Sequence, residues 1–235
     1  MPQKQPIGCL ILRVFVFSTF LFTNCMPSDS GFDPCSRHYE LDSLEPAEAS
    51  THWIPYFTGQ MLQAKSLAIG VIPFRVDSVP ILINSERSFF EIPCYEDSLK
   101  INRVFYTSLM YQCKLINLSK LLAVREIHIS LYVLLDELNS KLDKLKLADI
   151  LEVDFILSEA GQSNTKRMVI QFPVLDRGFA NTFKSNFKFD PELILGGKIF
   201  KNVYSNYEIN DKLKVYYSDL GILGFELPDG NSCFF

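Results

Sequence analysis

Three histidines, six cysteines and 27 acidic side chains are the groups from which chemistry would have to come in this 235-residue chain. His38, His52 and His128 are not at metal-ligand spacing, no HExxH occurs, and no CxxC or Cys/His cluster suggests zinc. No metal or other cofactor is expected. There is no GxSxG elbow for a serine hydrolase and no glycine loop to cradle a phosphate. Cys94 or Cys113 with His128 would join a thiol to a base able to take its proton, but a disulfide or core role competes for both cysteines. The acidic pairs Glu96-Asp97 and Asp136-Glu137 read as a turn and a solvated helix start. Glycoside hydrolysis needs two carboxylates converging in a cleft, which neighbours in sequence do not provide. Lys198, Lys201, Lys212 and Lys214 crowd the C-terminal strands, where protection of a sheet edge accounts for them. No catalytic residue is assigned, and the chain is expected not to be an enzyme.

Composition removes other classes. With 48% apolar and 21% charged residues the chain is neither disordered nor a multi-span membrane protein. Its net charge is −4, and it becomes −6 without the first 24 residues, which carry Lys4 and Arg13 and no acid. Phosphate binding needs clustered positive charge, so no nucleic-acid partner is expected.

The first 24 residues read as a signal. Lys4 and Arg13 form a basic start, and the apolar run from Val14 to Phe22 is too short to cross a bilayer, which needs about 20 residues. Leu21-Phe22-Thr23-Asn24-Cys25 resembles a bacterial lipobox, with Asn24 and Phe22 where the usual pattern has a small and an aliphatic residue. The resemblance implies lipid attachment at Cys25, which would anchor the protein to a membrane through more than one acyl chain. Two other readings stay open: cleavage after Ser28-Asp29-Ser30, or an uncleaved anchor. Exported and held in the cell envelope, at the outer membrane, is the expected location. Residues 25–52, rich in Pro, Ser, Asp and Glu and without periodicity, are expected to be a flexible tether.

Export bears on the remaining cysteines. Cys35, Cys94, Cys113 and Cys233 are an even number in an oxidising compartment and allow three pairings. Buried free thiols are the other reading.

From Trp53 to Phe235 the pattern predicts one antiparallel β domain, a sandwich or barrel-like meander with at most one or two short helices. Leu151, Val153, Phe155 and Leu157 share one face of a strand, with Glu152 and Asp154 on the other. Met168, Ile170 and Phe172 alternate likewise, as do Leu213, Val215 and Tyr217. Gly196-Gly197, Asn210-Asp211 and Pro228-Asp229-Gly230 mark turns. The segment after Glu126 carries both periods, which predicts a strand to about Leu134 and a short helix near 136–146.

Two stretches carry a resemblance. Trp53-Ile54-Pro55-Tyr56-Phe57-Thr58-Gly59-Gln60 resembles the opening motif of many short lipoproteins of Bacteroidetes, where an aromatic-Pro-aromatic turn and a Gly precede the first strand. Gly197 to Tyr204 and Val215 to Phe225 resemble the closing meander of the same group. Together they cover 27 residues, about a ninth of the chain. The likeness implies an exported, lipid-anchored β domain and assigns no catalytic residues. Physically, Trp53 and Tyr56 suit a plug at a sheet end, Gly221 a turn, and Gly224 a bulge or close backbone approach. Asp-Ser-apolar triplets at Ser43, Ser78 and Ser98 match the short O-glycosylation pattern of Bacteroidetes, although Asp-Ser is also ordinary turn chemistry.

Three functions remain to be separated. The first is a non-enzymatic interaction or structural module of the envelope, with a protein partner. The second is a carrier of an apolar ligand in a barrel-like cavity, with Phe179, Phe183, Phe187 and Phe189 as its lining. The third is a glycan-active enzyme whose carboxylates meet only in three dimensions.

Overall fold

The computed structural model describes residues 38–94, 100–137, 140, 144–158, 165–178, 187–206 and 213–235, and of 79–86 the backbone alone. The chain divides into two compact units, of which the larger is His38–Ile92 with Arg103–Phe235. Of the other, Met1–Arg37 with Pro93–Asn102, Cys94 is disulfide-bonded and its N–H donates to the Lys100 carbonyl at 3.0 Å.

Among the described residues twelve strands form one sheet that is mainly antiparallel and nearly closed into a barrel. In chain order they are β1 (His38–Glu40), β2 (Met61–Ser66), β3 (Gly70–Pro93), β4 (Ile101–Asn117), β5 (Val124–Leu135) and β6 (Leu147–Ser158). Next come β7 (Thr165–Arg177), β8 (Phe187–Leu195), β9 (Lys198–Asn206), β10 (Lys214–Ser218), β11 (Gly221–Glu226) and β12 (Ser232–Phe234). The spatial order is β7-β6-β5-β4-β3-β2-β12-β11-β10-β9-β8. Two meanders, β2 to β7 and β8 to β12, therefore meet at a single seam, where β12 pairs with β2 through Phe234 and Lys65.

Period two explains the closure. Ile127, Ile129 and Leu131 of β5, Leu151, Val153 and Phe155 of β6, and Phe172 of β7 are fully buried in one core. Val215 and Tyr217 of β10, Phe225 of β11 and Cys233 of β12 join them from the second meander. Among the described residues these inward side chains pack into one core cluster, the usual filling of a small barrel. The strands at the two ends of the path each carry a proline, Pro173 in β7 and Pro191 in β8. Proline has no N–H to offer a new strand, so both edges resist extension.

Three expectations are corrected. The helix near 136–146 is not found among the described residues there. The Asp136 N–H bonds the Lys146 carbonyl at 2.9 Å, and the Lys146 N–H bonds the Ser140 hydroxyl at 2.9 Å, closing a β5–β6 hairpin loop. Pairing of β5 with β6 runs up to Leu135 and Leu147, so these bonds lie in the connection that joins the two strands. Residues 38–52 are not free tether. β1 lies parallel to β4, Leu44 bridges to Ser108, and the short helix α1 (Glu48–Thr51) sits on the domain. Composition could not show this, because a buried carboxylate holds the segment. Asp149, wholly buried, accepts from Ala47 N at 2.8 Å, Ser50 Oγ at 2.6 Å and the Arg177 guanidinium at 2.6 Å. Third, Cys113 and Cys233 are free and buried, so neither joins a disulfide framework. Burial pushes the Cys113 thiol up to about 12 and, with Asp229 nearby, the Cys233 thiol to about 11, which keeps both protonated. Cys35 and the lipid-attachment residue Cys25 lie outside the described residues.

Turn chemistry matches the glycines. Gly196-Gly197 joins β8 to β9 with φ of 55° and 81°, the double positive φ of a tight hairpin turn. Gly221 opens β11 at φ 95°. Opposite Tyr216 and Tyr217 the β11 register skips Leu223, a bulge beside Gly224. A Cβ on Gly224 would lie 2.7 Å from the Cys233 carbonyl, so β12 can pack there only against glycine.

Candidate functional site

Where the two meanders meet, the outer face of the sheet opens into a cleft of about 620 Å³. The β2–β3 hairpin gives one wall, with Gln63, Lys65, Leu67, Gly70 and Val71. The β8–β9 tip gives the other, with Leu195, Gly196 and Lys198, while Phe234 comes from β12 and Phe235 directly follows it. The pleat sets these positions. Along β2, Ala64 and Ser66 point inward, so Gln63 and Lys65 face out. Along β12, Cys233 is buried, which puts Phe234 on the outer face beside Leu195, Val203, Tyr216 and Leu223. Phe235 instead packs into the core, 5.4 Å from Phe74 and 6.4 Å from Phe225 between ring centroids. Gly196 lets the hairpin tip rest on Phe234, whose Cβ would stand 3.4 Å from a Cβ at that position. Leu67 is fully exposed and Val71 is 57% exposed, so two large apolar side chains are left in water beside the concavity.

The sequence-derived chemistry is not brought together. Cys113 is paired across strands with Ile129, and His128 with Lys114, so the pleat points Cys113 into the core and His128 outward. His128 Nε2 lies 3.0 Å from Glu126 Oε2, and Lys114 Nζ lies 2.9 Å from the same oxygen. Burial raises the Glu126 carboxyl, but hydrogen bonds and charge from Lys114 and His128 outweigh it and leave a net lowering. The acids on the outer face of β6 are likewise engaged. Asp154 is buried against Arg167, and Glu152 accepts from Tyr132 at 3.2 Å and Gln171 at 2.9 Å. Among the described residues no group of three or more His, Cys, Asp or Glu side chains is placed to hold a metal.

Aromatic residues divide between core and surface. Tyr217 donates to the Trp53 carbonyl at 2.6 Å, and the Tyr56 hydroxyl accepts the Ile222 N–H at 2.6 Å. Desolvation holds both phenols far above their ordinary range, so they are fixed hydrogen-bonding posts and not acids. Phe187 and Phe189 lie against Tyr204, at 5.9 and 5.0 Å, and do not line the cleft. Phe179 and Phe183 lie outside the described residues. On the exposed side of β3 and β4, Arg87 stacks over Phe105 and pairs with Glu40, and Arg103 stacks over Phe89 and pairs with Glu91. Those cations are already matched within the fold.

Of the lysines on the C-terminal strands, Lys198 alone lines the cleft. Lys201 faces Glu192 across the β8–β9 pair, Lys214 stands 5.4 Å from the Tyr216 ring, and Lys212 lies outside the described residues. Ser43 is exposed, Ser78 is half-buried in β3, and Ser98 lies outside the described residues. No helix among the described residues is long and apolar enough to cross a membrane. Sequence reasoning missed the cleft because its walls are 120 or more residues apart. The β12–β2 pair that joins them has no local signature; only the turn glycines at its rim were readable.

The fold and site define a nearly closed, mainly antiparallel β domain with a core of inward side chains from both meanders and an apolar cleft at its seam. No family model, no curated protein and no solved structure matches the chain.

Proposed function

We propose that the chain is an exported, lipid-anchored lipoprotein of the cell envelope whose β domain is a non-enzymatic binding module. Its binding surface is the seam cleft. The observation that carries this reading is the pairing of a 620 Å³ apolar concavity with side chains such as Leu67 and Val71 left in water at its rim. The filled core supports binding on the outside of the sheet over carriage inside a barrel. Acids paired to arginine, lysine or tyrosine, and not to one another, support a role without bond-making chemistry. The lipobox-like Leu21 to Cys25 supports the anchor.

The full-length protein should enhance the fluorescence of Nile red, a neutral apolar probe, by shielding it from water. Val71→Glu should abolish most of that enhancement while leaving thermal stability within about 0.5 kcal/mol, as expected for a surface substitution. Enhancement equal in the wild type and Val71→Glu would count against the cleft as the binding surface.

A further inference from the structure

We infer that the occupant of the cleft is a single-chain carboxylate amphiphile, a free fatty acid, held by its tail on the apolar walls and by its head at Lys65 and Lys198. The inference rests on the binding reading above and adds the chemistry of the ligand.

Charge complementarity carries it. In a chain where acids outnumber bases 27 to 23, this apolar cleft is lined by two lysines and by no acidic side chain. Neither lysine takes part in an ion pair among the described residues, in contrast to Lys114 and Lys188, which face carboxylates at 2.9 and 2.8 Å. They come from opposite walls, Lys65 from β2 and Lys198 from the first residue of β9. An ammonium on a flexible stem is a point charge that can follow a head group, and it does not impose the planar geometry of a guanidinium. Most of the remaining lining is hydrocarbon and aromatic, from Leu195, Phe234 and Val71, with Gln63 and Ser66 as its uncharged polar side chains. Such a surface takes up methylene groups at about 0.8 kcal/mol each. A volume near 620 Å³ lies in the usual range for one small-molecule ligand and favours a single chain over a bilayer surface.

Calorimetric titration of the full-length protein with decanoate and with decanol tests this. Decanoate should bind at one site and decanol about tenfold more weakly. Lys65→Gln with Lys198→Gln should remove that preference, weakening decanoate about tenfold and leaving decanol unchanged. Equal affinity for the two ligands, or a preference that survives in the double variant, would overturn the anionic assignment and leave the cleft a binding site. Binding of neither would overturn both readings. Binding to vesicles of phosphatidylglycerol without binding of decanoate would overturn the free fatty acid in favour of a membrane surface.

Discussion

Asp149→Ala is expected to cost about 3–5 kcal/mol of stability, the usual penalty for removing one member of a buried ion pair. The carboxylate is wholly buried and accepts three hydrogen bonds, from Ala47 N, Ser50 Oγ and the Arg177 guanidinium. Removing it strands the Ser50 hydroxyl, itself 1% exposed, and frees Arg177 from its partner. Arg177 also donates to the Glu45 carbonyl at 3.1 Å, so the loss reaches the backbone before α1. Urea denaturation would show the fall in midpoint. Limited proteolysis would separate two routes to it: cleavage confined to residues 41–52 means that the segment has come off a surviving barrel. A midpoint unchanged from wild type would show that the carboxylate does not hold the segment. Double substitution with Arg177→Met should recover part of the loss, because the variant then buries no unpaired charge.

Gly221→Ala is expected to destabilise by roughly 4 kcal/mol, through two effects at one atom. The backbone there has φ 95°, a region an L side chain enters at a cost of about 1–3 kcal/mol. The added Cβ would also stand 2.2 Å from the Tyr56 hydroxyl, far inside contact distance. Tyr56 cannot yield cheaply, because its oxygen takes the Ile222 N–H at 2.6 Å and its ring belongs to the core. Displacing it leaves a buried donor unsatisfied, worth about 1–3 kcal/mol. Thermal unfolding of Gly221→Ala beside Gly230→Ala provides the control. Gly230 has φ 87° but nothing within 4 Å of its Cβ, so it isolates the backbone cost. Equal losses in the two would refute the clash with Tyr56.

That contact also shows what local sequence could and could not reveal. Trp53, Tyr56, Gly221 and Gly224 are legible as structural residues, and the alternation in β6, β7 and β10 names their inward faces correctly. All of these are signals carried within a few residues of chain. The bond between Tyr56 and Ile222 spans 166 residues, and the one between Ser50 and Asp149 spans 99. Neither has a local pattern, so 38–52 reads as spacer on composition alone. Asp154 misleads in the same way. Alternation puts it on a solvated face, yet it is buried because Arg167 closes over it. The helix expected near 136–146 is not seen because the described residues there, Asp136, Ser140 and Lys146, are tied to one another in the connection between β5 and β6. The cleft is hardest of all to foresee. Lys65 and Lys198 come to line one cleft only once β12 has zipped onto β2.

The central claim, that the seam cleft is where this protein binds, is tested most directly by native and denaturing mass spectrometry of the full-length protein purified from an oxidising compartment. Wild type should carry a non-covalent mass that disappears on denaturation, and Val71→Glu should be recovered without it. A bare chain mass for both proteins under native conditions, or the same adduct retained in Val71→Glu, would contradict the claim.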